Sequence, residues 1–211
     1  MKAAALVLAL FLSAEWRDTF ESRLELLALE QTINGQLLAG SSATRTLEQW
    51  CGEHHMAPEA KVVAVRIAGA RKEPTAEQLQ RLAVHDASEL RYRRVELRCG
   101  AHVLSIADNW YVPARLTPEM NAALETTETP FGKVVQPLHF ERRTIAVTML
   151  WSPLPSGWEQ QPRSRFASHP RRAIDIPRAL FEHRAVLFTA DRVPFSEVAE
   201  TYQSELVDFA R

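Results

Sequence analysis

From Tyr92 to Val112 the sequence carries two strand-like runs, Tyr92 to Cys99 and His102 to Val112, joined by Gly100-Ala101. Within the first run, Arg93 to Cys99 alternates between apolar and charged residues. A period of two matches a β-strand, whose successive side chains point to opposite faces, and a short glycine-containing joint signals a hairpin. The chain must therefore build a sheet with at least one buried face. Val95, Leu97 and Cys99 share the apolar face of the first run, and Arg93 shares it with them; Arg94, Glu96 and Arg98 fall on the other. An arginine on an apolar strand face needs a counter-charge, because an unpaired buried charge is very costly. The same reasoning picks out Glu200, which shares a face with Val198 and Tyr202, while Glu197 shares the opposite one with Ala199 and Thr201. Two readings stay open on the pattern alone. Arg93 and Glu200 form a structural ion pair, or they line a small cavity that offers a cation to a carboxylate ligand and an acid of tuned pKa.

Helices come mostly first along the chain and strands after. Asp18 with Glu21 fits a capping box, and Phe20, Leu24, Leu27 and Leu38 continue a helical pattern with a break near Gly35. A second helix starts at Ser42, with Leu47, Trp50 and Cys51 on one face. Lys61 to Ile67 reads as a strand, Pro74 to Leu82 as a short surface helix, and Thr117-Pro118-Glu119 as a helix start whose helix ends before Thr129-Pro130. Glu141 to Leu150 is a further strand, and His183 to Ala190 with Phe195 to Leu206 a closing hairpin around Asp191-Arg192. Trp151 to Arg178 is rich in proline, lacks a clean period and reads as a long ordered loop. The expected fold is α+β, with a single antiparallel sheet and helices covering one face.

A chain of 211 residues with 46% apolar and 24% charged residues has the composition of one globular domain, and a net charge of −1 gives no reason to propose a nucleic-acid partner. Neither GxGxxG, GxxxxGK[ST] nor GxSxG occurs. His54 and His55 are adjacent and so point to different sides of a helix, which argues against a metal site. Arg163, Arg165, Arg171 and Arg172 sit among prolines and read as a solvated loop. Lys2, the apolar run Ala3 to Leu12 and Ser13-Ala14 form a secretory leader pattern over residues 1–14, too short for a stable membrane span. Cleavage would leave residues 15–211 as a single domain in the periplasm or outside the cell; an uncleaved start would leave it in the cytoplasm. In an oxidising compartment Cys51 and Cys99 could pair, provided their Cα atoms come close enough.

Four segments, in order, resemble the chorismate pyruvate-lyase family and the fold group it shares with ligand-sensing domains of some bacterial transcription regulators. They are Leu38-Ala39-Gly40-Ser41-Ser42-Ala43-Thr44; Arg93-Arg94-Val95-Glu96-Leu97; Tyr111-Val112-Pro113 followed by Thr129-Pro130-Phe131-Gly132; and Arg192-Val193-Pro194-Phe195 through Ala199-Glu200-Thr201-Tyr202. The resemblance spans roughly residues 37 to 206, with 151–178 as an insertion. It implies elimination of pyruvate from chorismate to give 4-hydroxybenzoate, without metal or organic cofactor. It implies a carboxylate-binding arginine at Arg93, with Arg94 the alternative one register position along. Backbone contacts to the ligand are implied at Ala43 and near Phe131 and Gly132, and an acidic residue beside the ring hydroxyl at Glu200. Arg93 and Glu200 are then the catalytic pair, and the partner is a small aromatic or cyclohexadiene carboxylate. An exported, non-catalytic binding protein for such an acid is the alternative on the same fold.

Overall fold

The computed structural model describes residues 16–166 and 168–209; the leader pattern lies outside them. A short strand β1 (Arg17–Asp18) leads into helix α1 (Phe20–Ala39) and then α2 (Ala43–Glu53), strand β2 (Val62–Arg66) and helix α3 (Ala76–Arg81). The hairpin β3 (Arg91–Cys99) and β4 (His102–Tyr111) follows, then helices α4 (Pro118–Thr126) and α5 (Phe131–Val134) and strand β5 (Glu141–Met149). The chain closes with β6 (His169–Ala173), β7 (Ala179–Phe188) and β8 (Pro194–Gln203).

Six strands form one antiparallel sheet in the order β2-β3-β4-β8-β7-β5, and β1 pairs with β6 in a separate two-stranded sheet. The expectation of a single sheet is corrected by that second ladder. It ties the 151–178 segment to the start of α1, where Phe20 makes tilted ring contacts with Trp158 and Phe166, centroids 6.1 and 5.1 Å away. The segment is therefore more than loop: it holds two single-turn helices and β6.

Helices α1 and α2 cover the inner face, where Leu26, Ile33 and Leu37 of α1 and Leu47 and Trp50 of α2 meet Val95, Leu97, Phe181 and Tyr202. The opposite face is not left bare, as one-sided coverage would have it. Leu82 and Val84, just after α3, close a second small core over Trp110, Val186 and Ala199.

Two local expectations for α1 also change. Its N-cap is Thr19, whose hydroxyl accepts from the Ser22 N–H at 3.1 Å, and Asp18 pairs instead with Arg23 at 2.8 Å. The helix runs unbroken through Gly35, an exposed position where glycine costs about 1 kcal/mol against alanine, a penalty that the buried stripe outweighs. That stripe is Leu26, Glu30, Ile33, Asn34 and Leu37, whereas Leu24 and Leu38 are exposed.

Cys51 on α2 and Cys99 at the end of β3 form a disulfide with Cα atoms 6.5 Å apart. The bridge joins positions 48 residues apart, so it removes much of the unfolded chain's freedom. Replacing both cysteines by alanine is expected to lower unfolding stability by about 2–4 kcal/mol, read as a drop in the urea midpoint. An unchanged midpoint would show that the inner core alone holds α2 on the sheet.

Candidate functional site

A cavity of about 60 Å³ opens on the inner face of the large sheet, under the start of α2, α5 and Phe140. The sheet supplies its floor. Register places Arg93 beside Asn109 and Asn109 beside Val198, and in the next row Val95 beside Ala107 and Ala107 beside Glu200. Strand β4 separates β3 from β8, which sets the backbones carrying Arg93 and Glu200 roughly 10 Å apart, the span of two strand spacings. Both residues line the cavity.

Arg93 is 3% exposed, and its Nε and Nη2 have no hydrogen-bond partner among the described residues. Burial pushes its pKa down to about 10, with Arg66 repulsion adding to the effect, so it stays protonated at neutral pH. The ion pair between Arg93 and Glu200 does not form. Glu200 pairs instead with Arg142 of β5, whose Nη2 donates to Oε2 at 2.8 Å, and it also accepts from the Tyr202 hydroxyl on the same oxygen at 3.2 Å. Both side chains of this ion pair are almost fully buried. Burial opposes the charge on Arg142, but Glu200 outweighs that cost and the pKa of Arg142 is raised.

Arg94, the alternative in the arginine register, points to the opposite face and lies 3.6 Å from Asp108. Glu197 also lies away from the cavity, in a two-point pair with Arg81 at 2.8 and 2.9 Å. Ala43, Phe131 and Gly132 all line the cavity. Ala43 is the first residue of α2, where backbone N–H groups have no acceptor within the helix and favour an anion. Ser42 caps this helix by accepting from the Arg45 N–H at 3.4 Å. A methyl group at Gly132 would meet Ser42, Thr44 and Phe140 at 3.7–3.9 Å, so alanine fits there and a larger side chain would fill the cavity.

Arg142 was not singled out from the sequence, and a bulge explains why. Alternation through Glu141–Met149 puts Arg142 with Thr144, Ala146 and Thr148, a polar set that reads as solvent-facing. The register shifts between Thr144 and Ala146, so Arg142 opposes Leu187 and Val147 opposes His183, both on the inner face. Asn109 and Ser196 also escaped notice. The Ser196 hydroxyl donates to Asn109 Oδ1 at 2.6 Å on the cavity wall. Among the described residues no group of three or more His, Cys, Asp or Glu side chains converges as a metal site would, and no helix is long and apolar enough to cross a membrane.

No family model matches the chain. It is 43% identical over 196 residues to the uncharacterized protein y4mC of Sinorhizobium fredii, an alignment covering 92% of this chain and 82% of that protein. The chain belongs to the y4mC family. Solved structures with a similar backbone include PhnF from Mycobacterium smegmatis, at 12% identity and a TM-score of 0.46, over 71% of this chain and 61% of PhnF. The ligand-binding domain of a regulator assigned to the GntR family from Bordetella bronchiseptica has 14% identity and a TM-score of 0.43, over 68% of this chain and 83% of that one. A GntR-family regulator from Enterococcus faecalis has 10% identity and a TM-score of 0.42, over 70% and 98%. The chain thus spans less than two thirds of PhnF, and these scores describe partial likenesses of the backbone.

Proposed function

We propose that this member of the y4mC family binds a small aromatic carboxylate in the Arg93 cavity. The carrying observation is the Arg93 guanidinium, buried, charged and without a partner on Nε and Nη2, in the wall of a cavity. Such a group is tolerable when an anion completes it, and a guanidinium fork matches a carboxylate bidentately. The first-turn N–H groups at Ala43 favour the same charge. The apolar side chains of Val95, Leu97, Phe131 and Val198 suit a ring. The cavity is small, which favours a one-ring ligand over a drug-sized molecule. The Cys51–Cys99 disulfide supports an oxidising location, periplasmic or secreted.

Glu200 on the same wall favours a second reading, chorismate lyase activity of the kind the resemblance implies. There the C–O bond to the enolpyruvyl group breaks, the ring loses a proton and aromatises, and the enolpyruvyl methylene gains one as pyruvate leaves. Glu200 would stand beside the ring hydroxyl and Arg93 would hold the ring carboxylate.

Incubation with chorismate, with pyruvate and 4-hydroxybenzoate followed beside calorimetric titration of 4-hydroxybenzoate, tests both. Saturable binding without turnover is the expected result. Turnover that Glu200→Gln abolishes would establish the lyase, and neither binding nor turnover would remove both readings.

A further inference from the structure

Three charged side chains line the cavity among the described residues: Arg93, Arg142 and Glu200. Their arrangement is lopsided. Arg142 is committed twice, to Glu200 Oε2 at 2.8 Å through Nη2 and to the Thr144 hydroxyl at 2.9 Å through Nη1. Among the described residues Arg93 meets no counter-charge, and the groups that act on its charge are Arg66, which repels it, and Tyr111. Strand β4 stands between Arg93 and Glu200, so the carboxylate that would balance Arg93 is held by a different arginine, delivered to the inner face by the bulge in β5.

We infer that Arg142 is a specificity-determining residue: by neutralising Glu200 it leaves the cavity with one net positive charge, the complement of a monocarboxylate. This rests on the proposed carboxylate site and adds the rule that sets the ligand's charge. Without Arg142, Glu200 would face the ligand as an uncompensated buried anion and repel the carboxylate that Arg93 attracts. With Arg142 in place, Glu200 stays available to accept a hydrogen bond from a neutral donor on the ligand, such as a ring hydroxyl, while contributing no net charge.

The test is a charge cycle on the full chain, read by calorimetric titration of 4-hydroxybenzoate at pH 7.5. The uncharged 4-hydroxybenzamide serves as the parallel probe, and near-ultraviolet circular dichroism reports each fold. Arg142→Met is expected to weaken 4-hydroxybenzoate about tenfold or more, since it strands a buried carboxylate in the site. In the Glu200→Gln background the same Arg142→Met change is expected to cost no more than about threefold, because no carboxylate is left to strand. Glu200→Gln alone removes the anion together with the charged acceptor of the ring hydroxyl and serves as the background of the cycle, and 4-hydroxybenzamide is expected to bind weakly throughout. A merely structural role for Arg142 would make Arg142→Met cost as much in the Glu200→Gln background as in the unaltered protein. That result, or an Arg142→Met variant with unchanged affinity, would overturn the inference. An unaltered protein that does not bind 4-hydroxybenzoate would instead remove the carboxylate reading beneath it.

Discussion

Arg93→Met is expected to make the free protein more stable while removing its ligand. The native guanidinium is 3% exposed and has buried nitrogens with no acceptor, so folding pays its desolvation without recovering a partner. Methionine of similar length fills the volume beside Val95 and Leu97 and carries no charge. The expected gain in unfolding free energy is on the order of 2 kcal/mol, seen as a higher urea midpoint. Loss of the charge and the fork together is expected to weaken a carboxylate ligand by at least about 100-fold. Arg93→Lys keeps the charge and loses the bidentate geometry, and is expected to fall between, about tenfold weaker. If Arg93 were a packing residue, Arg93→Met would lower the midpoint or leave it unchanged, and affinity would not follow.

The second large effect concerns two buried groups, one on α1 and one on β7. Glu30 of α1 is 1% exposed, neither carboxyl oxygen has a partner among the described residues, and burial raises its pKa from 4.5 to about 7. His183 of β7 is fully buried, and its Nε2 lies 2.7 Å from Asn34 Oδ1. Burial first, then Arg142, lowers its pKa from 6.5 to about 4. The two pull stability in opposite directions. The raised Glu30 contributes stability that is present below pH 4.5 and lost as pH rises to about 7, because the unfolded chain ionises first. The depressed His183 contributes stability that is present above pH 6.5 and lost as pH falls to about 4, because the unfolded chain protonates first. Each is worth about 3 kcal/mol across its window, so between pH 4.5 and 6.5 they largely cancel. Glu30→Leu, which continues the Leu26–Ile33–Leu37 stripe, is expected to stabilise the protein by about 3 kcal/mol more at pH 8 than at pH 4.5. It also exposes the His183 slope as a loss of stability on acidification. Urea unfolding at the two pH values checks this, and a pH-independent difference between the proteins would contradict it.

These two groups also show where sequence pattern reached its limit. Alternation in β3 and β8 placed Arg93 and Glu200 on the buried face, because unbulged strands keep strict period two across those positions. Helix α2 was legible from Ser42, Leu47, Trp50 and Cys51 for the corresponding helical reason. In α1 the buried stripe contains Glu30 and Asn34, so an apolar period drawn through Leu24, Leu27 and Leu38 took the wrong phase. In β5 a single extra residue moved Arg142 to the inner face, and nothing in Glu-Arg-Arg-Thr-Ile announces a bulge. The second sheet was hidden for a different reason: β1 has two residues and β6 is exposed throughout, so neither carries alternation. Pairing of Cys51 with Cys99 had to wait for the packing of α2 on β3.

The most direct test of a carboxylate site built on Arg93 is a thermal-shift titration with two ligands of one shape, 4-hydroxybenzoate and 4-hydroxybenzamide. The expected result is a concentration-dependent rise in Tm with the carboxylate, little or none with the amide, and no response to either in Arg93→Met. Equal shifts with acid and amide, or a carboxylate shift that survives Arg93→Met, would contradict it.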